Sequence, residues 1–176
     1  ICLYKDGEIE NLNQSISTPV QFGQINTLQF DNNKVWIADN RNGVMSIKQD
    51  NSGQISLLHL NGIPTNEKIK SILHDKLGNL WILTPKKLYV SNGGAFSVIR
   101  QIGNLYLNNL HTIVASGPNH FWVANDEGLV EIDDEKHRVF LQHILKKTVK
   151  ITSMAQDEKG RIWVATFGQG IICFNP

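Results

Sequence analysis

Residues 157–174 read DEKGRIWVATFGQGIICF: an Asp-opened turn, a strand carrying Trp163, a Gly-containing loop and a second strand. Residues 75–90, DKLGNLWILTPKKLYV, repeat that order, and so do residues 116–132, SGPNHFWVANDEGLVEI. The four tryptophans, Trp36, Trp81, Trp122 and Trp163, fall 45, 41 and 41 residues apart. Ile or Val follows each, and then Ala or Leu. About twelve residues upstream of each Trp stands a second phrase: Ile25-Asn26-Thr27-Leu28, Ile69-Lys70-Ser71-Ile72, Leu110-His111-Thr112-Ile113 and Ile151-Thr152-Ser153-Met154. Its pattern is apolar, polar, Thr or Ser, apolar, and all four copies are in register with the Trp. A fixed period of this kind marks a repeat architecture.

Each unit parses into four short strands, A to D. Strand A opens with the phrase and ends at a turn former, Asp31, Asp75, Ser116 or Asp157. The hairpin turns follow at Asn32-Asn33, Gly78-Asn79, Gly117-Pro118-Asn119 and Gly160. Strand B holds the Trp, and a short loop ending in Gly43, Gly128 or Gly170 leads to strand C. Strand D lies around Gln54–Leu60, Ala95–Ile102 and His137–His143. The apolar spacing follows strand runs and nowhere sustains a helical period. Four-stranded units of this length are β-propeller blades, whose apolar faces are buried only by stacking on neighbours. The expected fold is therefore all-β: a β-propeller segment of about four four-stranded antiparallel blades, cut from a larger propeller. Trp36, Trp81, Trp122 and Trp163 are expected to fill the space between blades, and the small Thr27, Ser71, Thr112 and Ser153 to suit the crowded inner strand.

Ile1-Cys2-Leu3-Tyr4 aligns with strand C of the other units, so the chain reads C, D, three complete units, then A, B, C. The boundaries are 1–24 for the first partial blade, 25–68, 69–109 and 110–150 for blades, and 151–176 for the last partial blade, all within one propeller domain. Such an excised piece would expose apolar end faces and self-associate, two copies completing a ring. The alternative pairs the N-terminal strand D with the C-terminal strand C and closes a four-bladed ring.

The formal net charge of +1 over 176 residues provides no global field for nucleic acid or an acidic membrane. The run from Leu145 to Lys150 reads as a solvated loop. The two cysteines, Cys2 and Cys173, exclude a zinc cluster and are expected to be small buried hydrophobes. No stretch approaches the roughly 18 apolar residues of a membrane span. No cofactor or metal is expected: the six histidines lack ligand spacing, and neither a nucleophile elbow nor a phosphate-cradling loop is present. His74 and His111 lie on or beside strand A as candidate core or channel groups.

The runs IKSILHDKLGNLWILTPKKLYV and ITSMAQDEKGRIWVATFGQGIICF resemble the two-component regulator propeller repeat, roughly I-x-x-I-x-x-D-x-x-G-x-L-W-I-G-T-x-x-G-L. The resemblance spans the chain in four copies. Ala38, Leu83, Ala124 and Ala165 stand where the family often has Gly, Lys87 replaces the loop Gly of blade two, and Ser116 replaces the turn Asp of blade three. The resemblance implies a periplasmic sensor region of a Bacteroides-type hybrid two-component system, membrane-linked through other parts of a parent protein and responsive to oligosaccharide. A protein-interaction scaffold and a propeller lyase are the rival readings. A ligand would be met on the B–C loops, which offer amides, both charge signs and one aromatic. The candidates are Asn40, Arg41, Lys86, Asp126, Phe167 and Gln169.

Overall fold

The computed structural model describes residues 2–5, 7–11, 16, 20–31, 34–50, 54–117, 120–126, 128–133, 136–140 and 150–176. The expected turn residues Asn32, Asn33, Pro118 and Asn119, loop residue Glu127, the distal part of the third strand D and the basic run at 145–149 lie outside them. Every element among the described residues is a strand, and the fold is a β-propeller segment. The chain forms two compact units, Ile1–Ile69 and Lys70–Pro176.

The first unit carries a hairpin, β1 (Cys2–Lys5) with β2 (Glu8–Asn11), and one four-stranded blade. The blade runs β3 (Ile25–Asp31), β4 (Lys34–Asp39), β5 (Gly43–Gln49) and β6 (Ile55–His59), in that spatial order. One of its faces carries Val35, Ile37, Ile47 and Leu57, and Ile16 and Phe22 from the preceding segment pack there.

The second unit holds blade two, of β7 (Ser71–His74), β8 (Leu80–Leu83), β9 (Leu88–Ser91) and β10 (Ser97–Ile99). A small hairpin follows, β11 (Gln101–Ile102) with β12 (Leu105–Tyr106). Blade three is β13 (Thr112–Gly117), β14 (His120–Asn125), β15 (Gly128–Asp133) and β16 (Lys136–Phe140). Blade four has three strands, β17 (Lys150–Gln156), β18 (Ile162–Phe167) and β19 (Gly170–Phe174). β2 pairs with β1, and the blade-four sheet is β17-β18-β19.

Strand register explains the upstream phrase. Apolar residues three apart should face opposite sides of a regular strand. In blade four, however, Ile151 pairs with Thr166 and Ser153 with Ala165, so Thr152 is an extra residue, a β-bulge. Blade one does the same at Asn26. In blades two and three the N–H groups of Lys70 and His111 reach Leu83 and Ala124, the residues that Ser71 and Thr112 already oppose. The bulge turns both apolar residues to one side, so Ile151 and Met154 enter one core, and Leu110 and Ile113 another. The polar second position of the phrase is thus the bulge residue.

The same register puts Thr27, Thr112 and Ser153 opposite Ala38, Ala124 and Ala165, on the Trp face of each sheet. Within the second unit Trp81 and Trp122 each pack onto the following blade. Trp81 of blade two meets Phe121 of blade three with ring centroids 4.8 Å apart. Trp122, fully buried, shares a cluster with Ile151, Met154, Ile162 and Val164 of blade four. Its ring lies 5.4 Å from Phe140 and 5.6 Å from Phe174. Trp36 is half-buried, and Trp163, on the blade-four face turned away from blade three, is 38% exposed.

Two expectations are corrected. Cys2 and Cys173 are exposed free thiols. Cys173 pairs with Trp163 on that open blade-four face, and Cys2 belongs to a two-stranded hairpin, so neither strand position is enclosed by a second sheet. Ser153, expected in crowded surroundings, is exposed on the same open face.

In blades two and four the turn aspartate fastens the tryptophan, whereas the Trp36 indole nitrogen of blade one is buried without a partner. Asp75 Oδ2 accepts the Trp81 indole N–H at 2.8 Å and the Asn79 amide at 2.8 Å. Its Oδ1 accepts the backbone N–H groups of Leu77 and Asn79. Asp157 repeats this with Trp163, Arg161 and the N–H of Lys159. Gly78 and Gly160 close both turns at φ of 87° and 80°, which an L side chain resists. In blade three Ser116 is too short to reach, and both Ser116 Oγ and Trp122 Nε1 are buried without a partner.

These clasps make stability acid-sensitive. The Trp163 hydrogen bond, against a smaller upward push from burial, helps hold Asp157 at about 2, below the ordinary 3.8. For Asp75 burial pushes upward, but the donors from Trp81 and Asn79 outweigh it and the carboxyl is lowered. A depressed folded pKa contributes stability that is complete above 3.8 and disappears as pH falls through the folded value. The urea midpoint is therefore expected to drop between pH 4 and pH 2, and Asp157→Asn to flatten part of that drop. A midpoint independent of pH across this window would contradict the clasp.

Candidate functional site

The B–C loops sit where the incoming chain enters strand A, so loop and bulge residues share one end of each blade. In the first unit Asp39, fully buried, ends β4 and holds the chain before β3. Its carboxylate accepts the N–H groups of Gly23 and Arg41 and the side-chain amide of Asn42. Burial raises its pKa, but these donors prevail and lower it. Asn40 Oδ1 accepts the Gln24 N–H at 2.8 Å, and Arg41 Nη1 donates to Gln21 Oε1 at 2.8 Å. A Cβ on Gly23 would collide with Asn40 Oδ1 and crowd Arg41, so a side chain there would displace Asn40 from the Gln24 N–H. Asn40 and Arg41, both exposed, thus fasten residues 21–24 as well as facing solvent.

In the second unit the blade-two loop turns on Thr84, whose Oγ1 accepts the Lys87 N–H. That side-chain turn lets Lys87 replace the glycine of other loops without a left-handed backbone. Lys86 is exposed at its tip. Pro85 of this loop accepts the N–H of Leu110, at the start of the blade-three phrase. The next residue, the bulge residue His111, places Nε2 2.6 Å from Asp126 Oδ1. Lys86 and Asp126 are therefore joined along one rim through Pro85, Leu110 and His111. In blade four the bulge residue Thr152 donates to Ala165 O, and Thr166 donates to Gly170 O across the loop. Phe167, 77% exposed, and Gln169, also exposed, stand on that loop.

Of the bulge residues on the rim, Thr152 was not singled out by residue type, and His111 was singled out only as a core or channel group. The signal for them was the three-residue spacing of the apolar pair. His74 is half-buried on β7. A second histidine pair lies on the outer strands of blade three, where His120 Nε2 is 3.0 Å from the buried Glu131 and Arg138 is 2.7 Å from its other oxygen. Among the described residues no cluster of three His, Cys, Asp or Glu could hold a metal ion. Among them, too, no helix is long and apolar enough to cross a membrane.

Residues 146–168, from the end of blade three through the Trp strand of blade four, match the profile of the two component regulator propeller. Solved structures share the fold. The extracellular domain of a protein of B. thetaiotaomicron described as a hybrid two component system is 22% identical with a TM-score of 0.59, over 84% of this chain and 20% of that one. A second such domain from that organism is 17% identical with a TM-score of 0.65, over 97% of this chain and 22% of that one. A catalytically inactive virginiamycin B lyase from Staphylococcus aureus, solved with quinupristin, is 13% identical with a TM-score of 0.65, over 97% of this chain and 60% of that one. The chain spans about a fifth of the length of the extracellular domains it matches. Comparison with curated protein sequences gives no match.

Proposed function

We propose that this chain is a non-enzymatic propeller segment of the extracytoplasmic, periplasmic sensor region of a hybrid two-component system, with an oligosaccharide as its ligand class. The observation that carries the reading is the regulator propeller repeat at residues 146–168. The fold shared with extracellular domains described as hybrid two component systems supports it. The rim chemistry suits a sugar chain. Phe167 offers an exposed ring for the apolar face of a pyranose, and Lys86, Asp126 and Gln169 offer donors and acceptors for hydroxyls. Asn40 and Arg41 present the same chemistry on the first unit. The rim reading adds His111, which orients Asp126, and Thr152.

Calorimetric titration with a panel of oligosaccharides tests this. Saturable binding is expected, and Phe167→Ala is expected to weaken it about tenfold, the loss of one stacked aromatic contact. Binding unaffected by Phe167→Ala and Gln169→Ala together would remove the rim from the proposal. A new ultraviolet absorbance from an unsaturated product would favour the lyase reading. Binding to a protein partner with no response to any sugar would favour the scaffold reading.

A further inference from the structure

The connection from blade two to blade three folds into a hairpin of its own. The connection of similar length after blade one, residues 60–68, has no paired strand. Residues 100–109 instead contain β11 and β12, with Gln101 opposite Tyr106 and Ile102 opposite Leu105. The two pairs face opposite ways. Ile102 and Leu107 are buried and Leu105 partly so, packed with Leu83 and Leu88 of blade two and Ile113 of blade three. Gln101 and Tyr106 face away from that core, and Tyr106 is 72% exposed. Both ends of the segment are tied beside the blade-two B–C loop. β10 ends at Ile99, opposite Leu88 just past that loop, and the Leu110 N–H bonds Pro85 O at 3.0 Å. The hairpin therefore stands at the rim end of its blades, in the same unit as Lys86 and the His111–Asp126 pair. Its exposed polar side chains are Gln101, Asn104, Tyr106, Asn108 and Asn109, four amides and a phenol. No charged residue occurs from 101 to 110. Two of the amides are already oriented: Gln101 Nε2 donates to Gly103 O at 2.7 Å, and Asn108 Oδ1 accepts the Asn109 N–H at 3.1 Å. Among the described residues Asn109, at φ 49°, is the one non-glycine with a left-handed backbone, which asparagine tolerates better than most, and it turns the chain from the hairpin into blade three.

We propose that this hairpin is a further sugar subsite, where the Tyr106 ring stacks on an uncharged pyranose and the neighbouring amides bond its hydroxyls. The proposal rests on the reading of the rim as an oligosaccharide site. An aromatic face suits the apolar face of a sugar ring, and an amide both donates and accepts, as a sugar hydroxyl does. Arg100 precedes the hairpin, and Lys86 and Asp126 stand on the B–C loops, so charges flank the segment in the chain and amides occupy it. A hairpin anchored in the core by Ile102 and Leu107 holds its ring in place before the ligand arrives, so little ordering is left to be done on binding.

Calorimetry with hexasaccharides of glucose, xylose and mannose, and with a galacturonic acid hexasaccharide, tests the subsite. At least one neutral chain is expected to bind. Tyr106→Ala is expected to weaken that binding about tenfold, whereas Tyr106→Phe, which keeps the ring, should stay within about twofold. The Tyr106 ring resonances of the unmodified chain should shift when that sugar is added. Both substitutions fall at an exposed position, so the urea midpoint should hold and the loss is read as binding alone. Binding that is weakened by Phe167→Ala but indifferent to Tyr106→Ala, with no shift of the Tyr106 ring, would overturn the subsite and leave the wider sensor reading standing. No binding of any hexasaccharide would overturn both. Tighter binding of the galacturonic acid chain than of every neutral one would overturn the assignment of an uncharged ring.

Discussion

Trp122→Ala is expected to destabilise the second unit by about 4 kcal/mol, the upper part of the range for emptying a large aromatic site in a packed core. The ring is fully buried and touches two phenylalanines as well as the blade-four strands. No single neighbour can collapse into its volume without leaving another contact. The same change at the partly exposed Trp163 is expected to cost only about 1–2 kcal/mol, because less apolar area leaves water there on folding. Trp122→Phe should be milder than most such changes, since the indole N–H it removes has no partner. Urea denaturation of the three variants checks the order. Equal losses at Trp122 and Trp163 would contradict the packing of Trp122 onto blade four.

Asp75→Ala is the second large effect, about 3 kcal/mol. The residue is buried, and its removal strands a buried indole N–H, a side-chain amide and two backbone donors at once. Asp75→Asn keeps one acceptor oxygen and should cost about 1 kcal/mol, the scale of a single net hydrogen bond. A loss no larger for Ala than for Asn, measured by urea denaturation with the Trp81 indole resonance as a local reporter, would mean that the clasp does not hold the ring.

The repeat was legible because its two phrases recur in register, and burial of Trp81 and Trp122 follows from stacking. The bulge was written in the same residues. Ile25 and Leu28, or Ile151 and Met154, are three apart, which an unbroken strand cannot place on one face. Which residue would be the extra one depends on the backbone register against strand B, and residue type alone does not reveal that. The Asp clasp was visible only as a turn former, because its second role requires the Trp side chain six residues on to fold back over the turn. The exposure of Cys173 could not be read from its apolar neighbours, since it depends on whether another sheet lies against that face. The rim was legible as a set of loops. The link from Lys86 to Asp126 was not, because it passes through the backbone of Leu110 and the bulged His111.

The central claim is that Trp81 and Trp122 point from their own blades toward the next one in the second unit, and that this contact buries them. Solvent paramagnetic broadening of the four indole side-chain resonances in the unmodified chain, at the lowest workable concentration, tests this most directly. The account predicts strong broadening for Trp163, intermediate broadening for Trp36 and the least for Trp81 and Trp122. Uniform broadening of all four, or a protected Trp163 beside an exposed Trp122, would contradict it.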